Sequence, residues 1–224
     1  MVTLEEQFSD AVNPRHQNFL ASLGGFAVIA FCGSFCGPEV FLVGLHGLRK
    51  YYLEAPNQEK DHVIIPLLGR FKGEMNSCYH LAPLEARTDS GLEMRKWVGR
   101  LVQARESEGR VRGPAFCTPQ GTMAKTLDYN RAFVEQLQTV QATQPGVIPG
   151  DLEISETFGI SQSFRRGAAS VAKTQGVPDK IVKLINRWQT FESARGRRPA
   201  MAMEDHYSDI AIMIPETIKF SQAL

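Results

Sequence analysis

The sequence is poor in cysteine and in net charge, and it contains neither internal repeats nor low-complexity segments. Its four cysteines form no C-x-x-C pair and no framework of the secreted type, which disfavours a disulfide-stapled fold. Reduced core cysteines of an intracellular protein fit this usage better than a zinc site, although four side chains offer suitable donor atoms: Cys32, Cys36, Cys78 and His80. No nucleotide motif is present either, so we expect neither a metal ion nor a cofactor.

One stretch has to be considered as a membrane span. Residues 19–38 contain no charged side chain and are long enough to cross a bilayer. However, glycines dilute the stretch, Glu39 follows it directly, and basic flanks are scarce. The acidic beginning of the chain also argues against a signal peptide. We therefore expect a buried core helix and no membrane partner.

Apolar periodicity and the positions of glycine and proline predict a mainly α fold with a small antiparallel three-stranded β-sheet insert. The sheet is expected from DHVIIPLLGRFKGE, as strand, turn and strand, and from YHLAPLEART, as a third strand that leaves the sheet at Pro83. Helices are expected over residues 17–35, from Pro38 through GPEVFLVGL, and over 90–104 (with Ser90 as a cap), 127–139, 161–175, 178–195 and 204–214. This organisation gives a lead segment (1–18), one domain (19–214) and a tail (215–224).

The charge is nearly balanced overall but unevenly distributed. The formal net charge is +1, whereas residues 161–200 hold nine Lys and Arg against two acidic residues, a net +7 that leaves −6 on the rest of the chain. Such a basic segment indicates a polyanion partner or, alternatively, a solvated basic surface. Its members are Arg165, Arg166, Lys173, Lys180, Lys183, Arg187, Arg195, Arg197 and Arg198.

Two adjacent arginines stand out within SQSFRRGAAS, residues 161–170. They lie between Phe164 and a run of small residues, on a segment that is otherwise typical of a buried helix start. One interpretation is a solvated charge pair at a helix end. The other is that Arg165 points inward at an anion, and that the small residues let the helix pack closely.

Several motifs, in order along residues 19–210, resemble the catalytic domain of the tyrosine recombinases, or phage-type integrases. Gln162-Ser163-Phe164-Arg165 holds the place of the family's H-x-x-R motif. Trp188 closes GVPDKIVKLINRW, 23 residues after Arg165, where the family has a His or Trp. Tyr207 follows in EDHYSD, and Lys72 lies in the predicted hairpin. The resemblance implies the fold of the DNA breaking-rejoining enzymes.

The resemblance also implies a chemistry for these residues. Tyr207 would attack a DNA phosphodiester to form a 3′-phosphotyrosyl link, and Lys72 would protonate the leaving 5′-oxygen. Arg165 would be the second of two arginines that clamp the phosphate, and the indole N–H of Trp188 would donate a further hydrogen bond. The partner is then double-stranded DNA, and the chemistry needs no cofactor.

The sequence departs from the family pattern at three places. The stretch CGSFCGPEVFLVGL fits the family's R-x-x-E frame, but Cys36 stands at the arginine position, with Glu39 at the glutamate position. A thiol has neither the positive charge nor the paired N–H donors of a guanidinium, so half of the phosphate clamp is missing. Gln162 replaces the histidine and cannot shuttle a proton near neutral pH. Tyr207 follows Trp188 by 19 residues rather than about nine, across an apparent loop insertion, ARGRRPAMAM.

Three functions remain open on these grounds. The first is a recombinase domain, derived from a mobile element, that cleaves and rejoins DNA in integration or recombination. The second is a decayed relative that binds DNA without cutting it, and the third is a non-enzymatic helical interaction protein. Whether the chain is an enzyme therefore stays open. A nuclear location is expected if the source is eukaryotic.

The resemblance leads to two further expectations. Recombinases usually carry an N-terminal DNA-clamping domain, for which only about 18 residues remain here, so the chain is expected to be a fragment or a half-clamp that needs a partner, for instance as a homo-oligomer on DNA. The residues expected to contact DNA outside the reaction centre are Arg166, Lys173, Lys183, Arg187, Arg197 and Arg198.

Overall fold

The computed structural model describes residues 2–53, 62–68, 79–118, 122–186 and 215–224. This part of the chain is mainly helical, with one small antiparallel sheet. In chain order the elements are α1 (Val2–Asp10), α2 (Pro14–Cys32), α3 (Gly37–Val40), α4 (Leu45–Leu53), β1 (His62–Leu68), β2 (Tyr79–Glu85), α5 (Met94–Ser107), α6 (Thr126–Thr143), α7 (Ile154–Thr157), α8 (Ser163–Thr174) and α9 (Asp179–Ile185). Residues 215–222 are also helical.

Helix α2 is the central element of the core, which confirms the prediction of a buried helix. Asn13 caps it by accepting a hydrogen bond from the Arg15 N–H, and Pro14 occupies the first turn, where no backbone donor is needed. The helix packs closely on α5 because Gly24 faces the ring of Trp97, where an added Cβ would lie only 2.0 Å from the ring. Among the described helices, none has the length and hydropathy needed to cross a bilayer.

The sheet pairs β1 with β2 in antiparallel register, from His62 opposite Glu85 to Leu68 opposite Tyr79. Pro83 pairs with Ile64, so the prediction that the strand leaves the sheet at this proline is wrong. Proline is tolerated there because β2 is an edge strand that pairs only with β1 among the described residues, and an edge strand can lack one backbone N–H. Residues 69–78 lie outside the described residues, and with them Lys72 and the predicted second strand.

Several predicted helix boundaries differ from the structure, and two of the differences have a local cause. Helix α3 ends at Val40 instead of continuing through GPEVFLVGL, because the Leu42 carbonyl accepts a hydrogen bond from Leu68 N of β1 (2.8 Å). Helix α5 begins at Met94 rather than near Ser90. There the Thr88 hydroxyl accepts from Leu92 N (3.0 Å) and forms a turn that delays the helix.

The chain termini pack against this framework. In α1, the side chain of Leu4 is buried, and Glu5 forms a two-pronged ion pair with Arg100 of α5 at 2.6 and 2.7 Å. Residues 215–224 cover the small-residue face of α8, where they complete an apolar cluster of Ala168, Ala169, Ala172, Val182, Ile185, Phe220 and Leu224. The prediction that small residues let α8 pack closely is therefore confirmed for Ala168 and Ala169.

Candidate functional site

The loop of residues 33–36 joins α2 to α3 and forms the centre of the candidate site. Ser34 has φ +49°, a left-handed conformation that is uncommon for a residue other than glycine. Cys36 is the N-cap of α3. The following Gly37 donates its N–H to the Ile160 carbonyl (2.9 Å) and approaches it so closely that a Cβ would lie 2.8 Å from that oxygen. This contact holds the loop against the segment that leads into α8.

Arg165 lies in the first turn of α8 and points into this loop. Its side chain is buried, with Nε donating to the Ser34 carbonyl (2.9 Å) and Nη2 donating to Glu39 Oε2 of α3. The same carboxylate oxygen accepts the Cys36 N–H (2.9 Å), so Glu39 reaches back to the N-cap as in a capping box. Arg165 therefore points inward, as one of the two interpretations had it, but the anion in the structure is the carboxylate of Glu39, and a DNA phosphate at Arg165 stays a prediction.

Arg165 keeps part of its donor capacity. A guanidinium has five N–H donors, and the bonds to Ser34 and Glu39 use Nε and Nη2. Across the described ranges, Nη1 donates to no acceptor. The result is a guanidinium whose inner edge is fixed by protein acceptors and whose charge is balanced by one carboxylate.

Cys36 is half-buried beside this ion pair. Burial raises the pKa of its thiol, and the neighbouring Glu39 carboxylate raises it further, while Arg165 opposes the shift. The thiol is therefore neutral near pH 7 and contributes no positive charge to the site. Gln162 lies at the N-cap of α8, is exposed, and makes no capping hydrogen bond with its side chain.

Asn186 joins the end of α9 to the same loop. Its side chain is fully buried; Oδ1 accepts the Ser34 hydroxyl (2.8 Å), and Nδ2 donates to the Val182 carbonyl (2.8 Å). Sequence reasoning missed both Ser34 and Asn186. One signal was present in the sequence: Asn186, a small amide, follows the apolar positions 182 and 185 of α9 and lies two residues before Trp188.

The structure thus brings the start of α3, with Cys36, to the start of α8, with Gln162 and Arg165, through the bonds from Arg165 to Ser34 and Glu39. Of the expected DNA-contacting residues, Arg166 and Lys183 are exposed, and Lys173 is exposed and pairs with Asp179 at 3.2 Å. The remaining predicted site residues lie outside the described residues; they are Lys72, Arg187, Trp188, Arg197, Arg198 and Tyr207.

A second buried polar cluster joins α2, α5 and α6. Arg105 donates to the Ala115 carbonyl, the Ser22 hydroxyl and Glu108, and the Ser22 hydroxyl lies 2.5 Å from the Tyr129 hydroxyl. Burial raises the pKa of Tyr129 to about 12, which makes it a poor nucleophile. Every one of these polar groups has a partner within the fold, so the cluster is structural.

The described residues include no group of three or more His, Cys, Asp or Glu side chains arranged to hold a metal ion. The groups described at the candidate site are a fixed guanidinium with its carboxylate partner, a neutral thiol and an exposed amide. Such groups can bind an anion through charge-assisted hydrogen bonds. No protein-family model, curated protein or solved structure matches the chain.

Proposed function

We propose that the chain is a DNA-binding domain of the tyrosine-recombinase type, with a phosphate clamp reduced to one arginine, so that it binds duplex DNA and cleaves it little. The observation that supports this most is the meeting of α3 and α8. The resemblance assigns position 36 to the first clamp arginine and Arg165 to the second; the backbone N–H of Cys36 and Nη2 of Arg165 both donate to the carboxylate of Glu39. These residues are 129 positions apart in the sequence, and the convergence is what a two-arginine clamp requires.

The reduced clamp determines the expected activity. Two arginines would stabilise the charge that develops on the phosphate during strand transfer, whereas here Cys36 is neutral and Glu39 offsets the charge of Arg165. By analogy with arginine fingers, losing one such arginine costs about 10³ to 10⁵ in rate. Attack by Tyr207, protonation of the 5′-oxygen by Lys72 and hydrogen bonding by Trp188 remain part of the proposal, as the route of the residual reaction.

Exposed basic residues support the binding part of the proposal. Arg166, Lys180 and Lys183 are exposed on α8 and α9 and form no ion pair within the described part of the chain. They follow Arg165 on the same helical pair, so they can contact the DNA backbone beside a phosphate bound at Arg165. Such contacts fix position without reading sequence, and we therefore propose weak, sequence-tolerant binding.

Fluorescence anisotropy of a labelled duplex at several salt concentrations tests this proposal. We expect Kd to rise steeply with salt, because each neutralised phosphate releases counterions. The double variant R166Q/K183Q should lower the slope of log Kd against log salt by about two. The matched control R15Q/K50Q removes the same charge from exposed positions on α2 and α4 and should leave the slope unchanged. A flat salt response, or equal effects of the two double variants, would contradict DNA binding by this surface.

A further inference from the structure

The Ser34–Asn186 hydrogen bond links the end of α9 to the residue that orients Arg165. We propose that Ser34 and Asn186 are positioning residues for Arg165, which makes the end of α9 part of the anion site. The part of this inference's test that measures DNA binding rests on the proposed function. The test has a second readout that does not depend on DNA.

Contacts on both sides hold the Ser34 backbone in an unusual conformation. A non-glycine residue at φ +49° is strained, and it keeps this conformation only where surrounding contacts hold it. Two such contacts are the hydrogen bond from Ser34 N to the Phe31 carbonyl (3.0 Å) and the bond from the Ser34 hydroxyl to Asn186 Oδ1 (2.8 Å). Because the Ser34 carbonyl belongs to this held backbone, its orientation toward Arg165 Nε depends on them.

The amide side chain of Asn186 accepts one hydrogen bond and donates another in a buried place. The buried site needs an acceptor for the Ser34 hydroxyl and a donor for the Val182 carbonyl, and one asparagine side chain supplies both. An alanine there would leave the Ser34 hydroxyl without its acceptor in a fully buried place. The loop would then be free to turn its carbonyl away from Arg165.

Loss of the Ser34 carbonyl would remove one of the acceptors that hold the Arg165 guanidinium. Of its two protein acceptors, the Ser34 carbonyl holds Nε and Glu39 holds Nη2, and together they fix the plane of the guanidinium. Without the Ser34 carbonyl, the group is held at one point and can rotate about it. Its Nη1 donors would then meet a phosphate in the proposed geometry for only part of the time.

The test compares four single variants: N186A, S34G, R165A and the control S22A. Ser22 is nearly as buried as Ser34 and its hydroxyl is also hydrogen-bonded, but its partners are Arg105 and Tyr129 of the second polar cluster rather than Asn186. S34G removes the hydroxyl while tolerating positive φ, so it should stay folded even where N186A does not.

We expect N186A, S34G and R165A each to lower the salt slope of duplex binding by about one, the loss of one phosphate contact. The double variant N186A/R165A should show no further decrease, and S22A should keep the wild-type slope at equal folded fraction. A wild-type slope in folded S34G and N186A would overturn the positioning role.

A thermodynamic cycle separates failure of this inference from failure of the proposed function. If the wild-type protein shows no salt-dependent DNA binding, the proposed function fails, but urea unfolding of N186A, R165A and the double variant still reports on their coupling. We expect the losses of stability to be non-additive for this pair and additive for S22A with R165A. Additive losses for N186A with R165A would overturn the link between Asn186 and Arg165.

Discussion

Arg165 on α8 forms a buried ion pair with Glu39 on α3, across 126 positions of sequence. The pair ties two helix starts together and sets the charge of the candidate site. Arg165 is therefore at once a structural residue and the proposed phosphate ligand, and the variants below separate the two roles.

Replacing Arg165 alone should destabilise the fold strongly. R165M would leave the Glu39 carboxylate buried without the countercharge that Arg165 supplies, a change that typically costs about 3–5 kcal/mol. Urea unfolding measures this loss. The double variant R165M/E39Q removes both charges and should recover most of the stability; a double variant as unstable as R165M would show that the charge imbalance is not the cause.

Neutralising Glu39 should strengthen DNA binding. E39Q removes the carboxylate that offsets the charge of Arg165, so a bound phosphate should gain about 1 kcal/mol, or about fivefold in Kd at low salt. Anisotropy titration with a short duplex measures the change. The control E6Q removes the same charge from an exposed position on α1 and should alter Kd less than twofold. Equal Kd values for E39Q and wild type would argue against a phosphate at Arg165.

Gly24 should tolerate no side chain. The methyl group introduced by G24A would lie 2.0 Å from the Trp97 ring, so α2 and α5 would have to separate. We expect a loss of about 1–3 kcal/mol or more in the free energy of unfolding, as for overpacked cores. G150A is the matched control, since nothing lies within 4 Å of a Cβ there and its φ is not in the left-handed region. Similar melting temperatures for the two variants would contradict the described α2–α5 packing.

The docking of α1 should be sensitive to acid. A hydrogen bond from Arg100 lowers the pKa of Glu5 from its ordinary value of 4.5 to about 2. A carboxyl whose pKa is lower in the folded state stabilises the fold above pH 4.5, and this contribution is lost as the pH falls from 4.5 toward 2. Unfolding free energies of wild type and E5Q should therefore differ at pH 6 and converge near pH 2. A pH-independent difference would contradict the ion pair.

Local signals in the sequence were sufficient for part of the fold. Gly176 with Pro178 marks the break between α8 and α9, because helix stops depend on adjacent residues. The start of α2 was expected at residue 17 but lies at Pro14, after the cap residue Asn13. The strand boundary at Pro83 was wrong, because its tolerance depends on which strands flank it.

The site was predictable only in its outline. An inward direction of Arg165 was one of two interpretations that the local sequence left open. Its partner Glu39 and the bond between Ser34 and Asn186 could not be predicted, since both join segments more than 120 positions apart. The left-handed conformation of Ser34 carries no sequence signal at all, because the surrounding contacts rather than the residue type impose it.

Repair of the clamp can be tested because of the surroundings of Cys36. The side chain is half-buried and lies beside the Glu39 carboxylate, so a guanidinium introduced by C36R has a countercharge and access to solvent. The expected cost in stability is therefore smaller than for an unpaired buried charge. A melt of C36R alone measures it before any DNA experiment.

Formation of a covalent adduct with a nicked suicide DNA substrate, followed on a denaturing gel, tests the assignment most directly. The wild-type chain should form little or no adduct. The variant C36R/Q162H supplies a guanidinium at position 36 and a proton-transferring imidazole at position 162, and it should raise the yield by orders of magnitude. Adding Y207F should abolish the adduct. A folded C36R/Q162H protein that binds DNA but forms no adduct at Tyr207 would contradict the assignment of this site as a recombinase phosphate clamp.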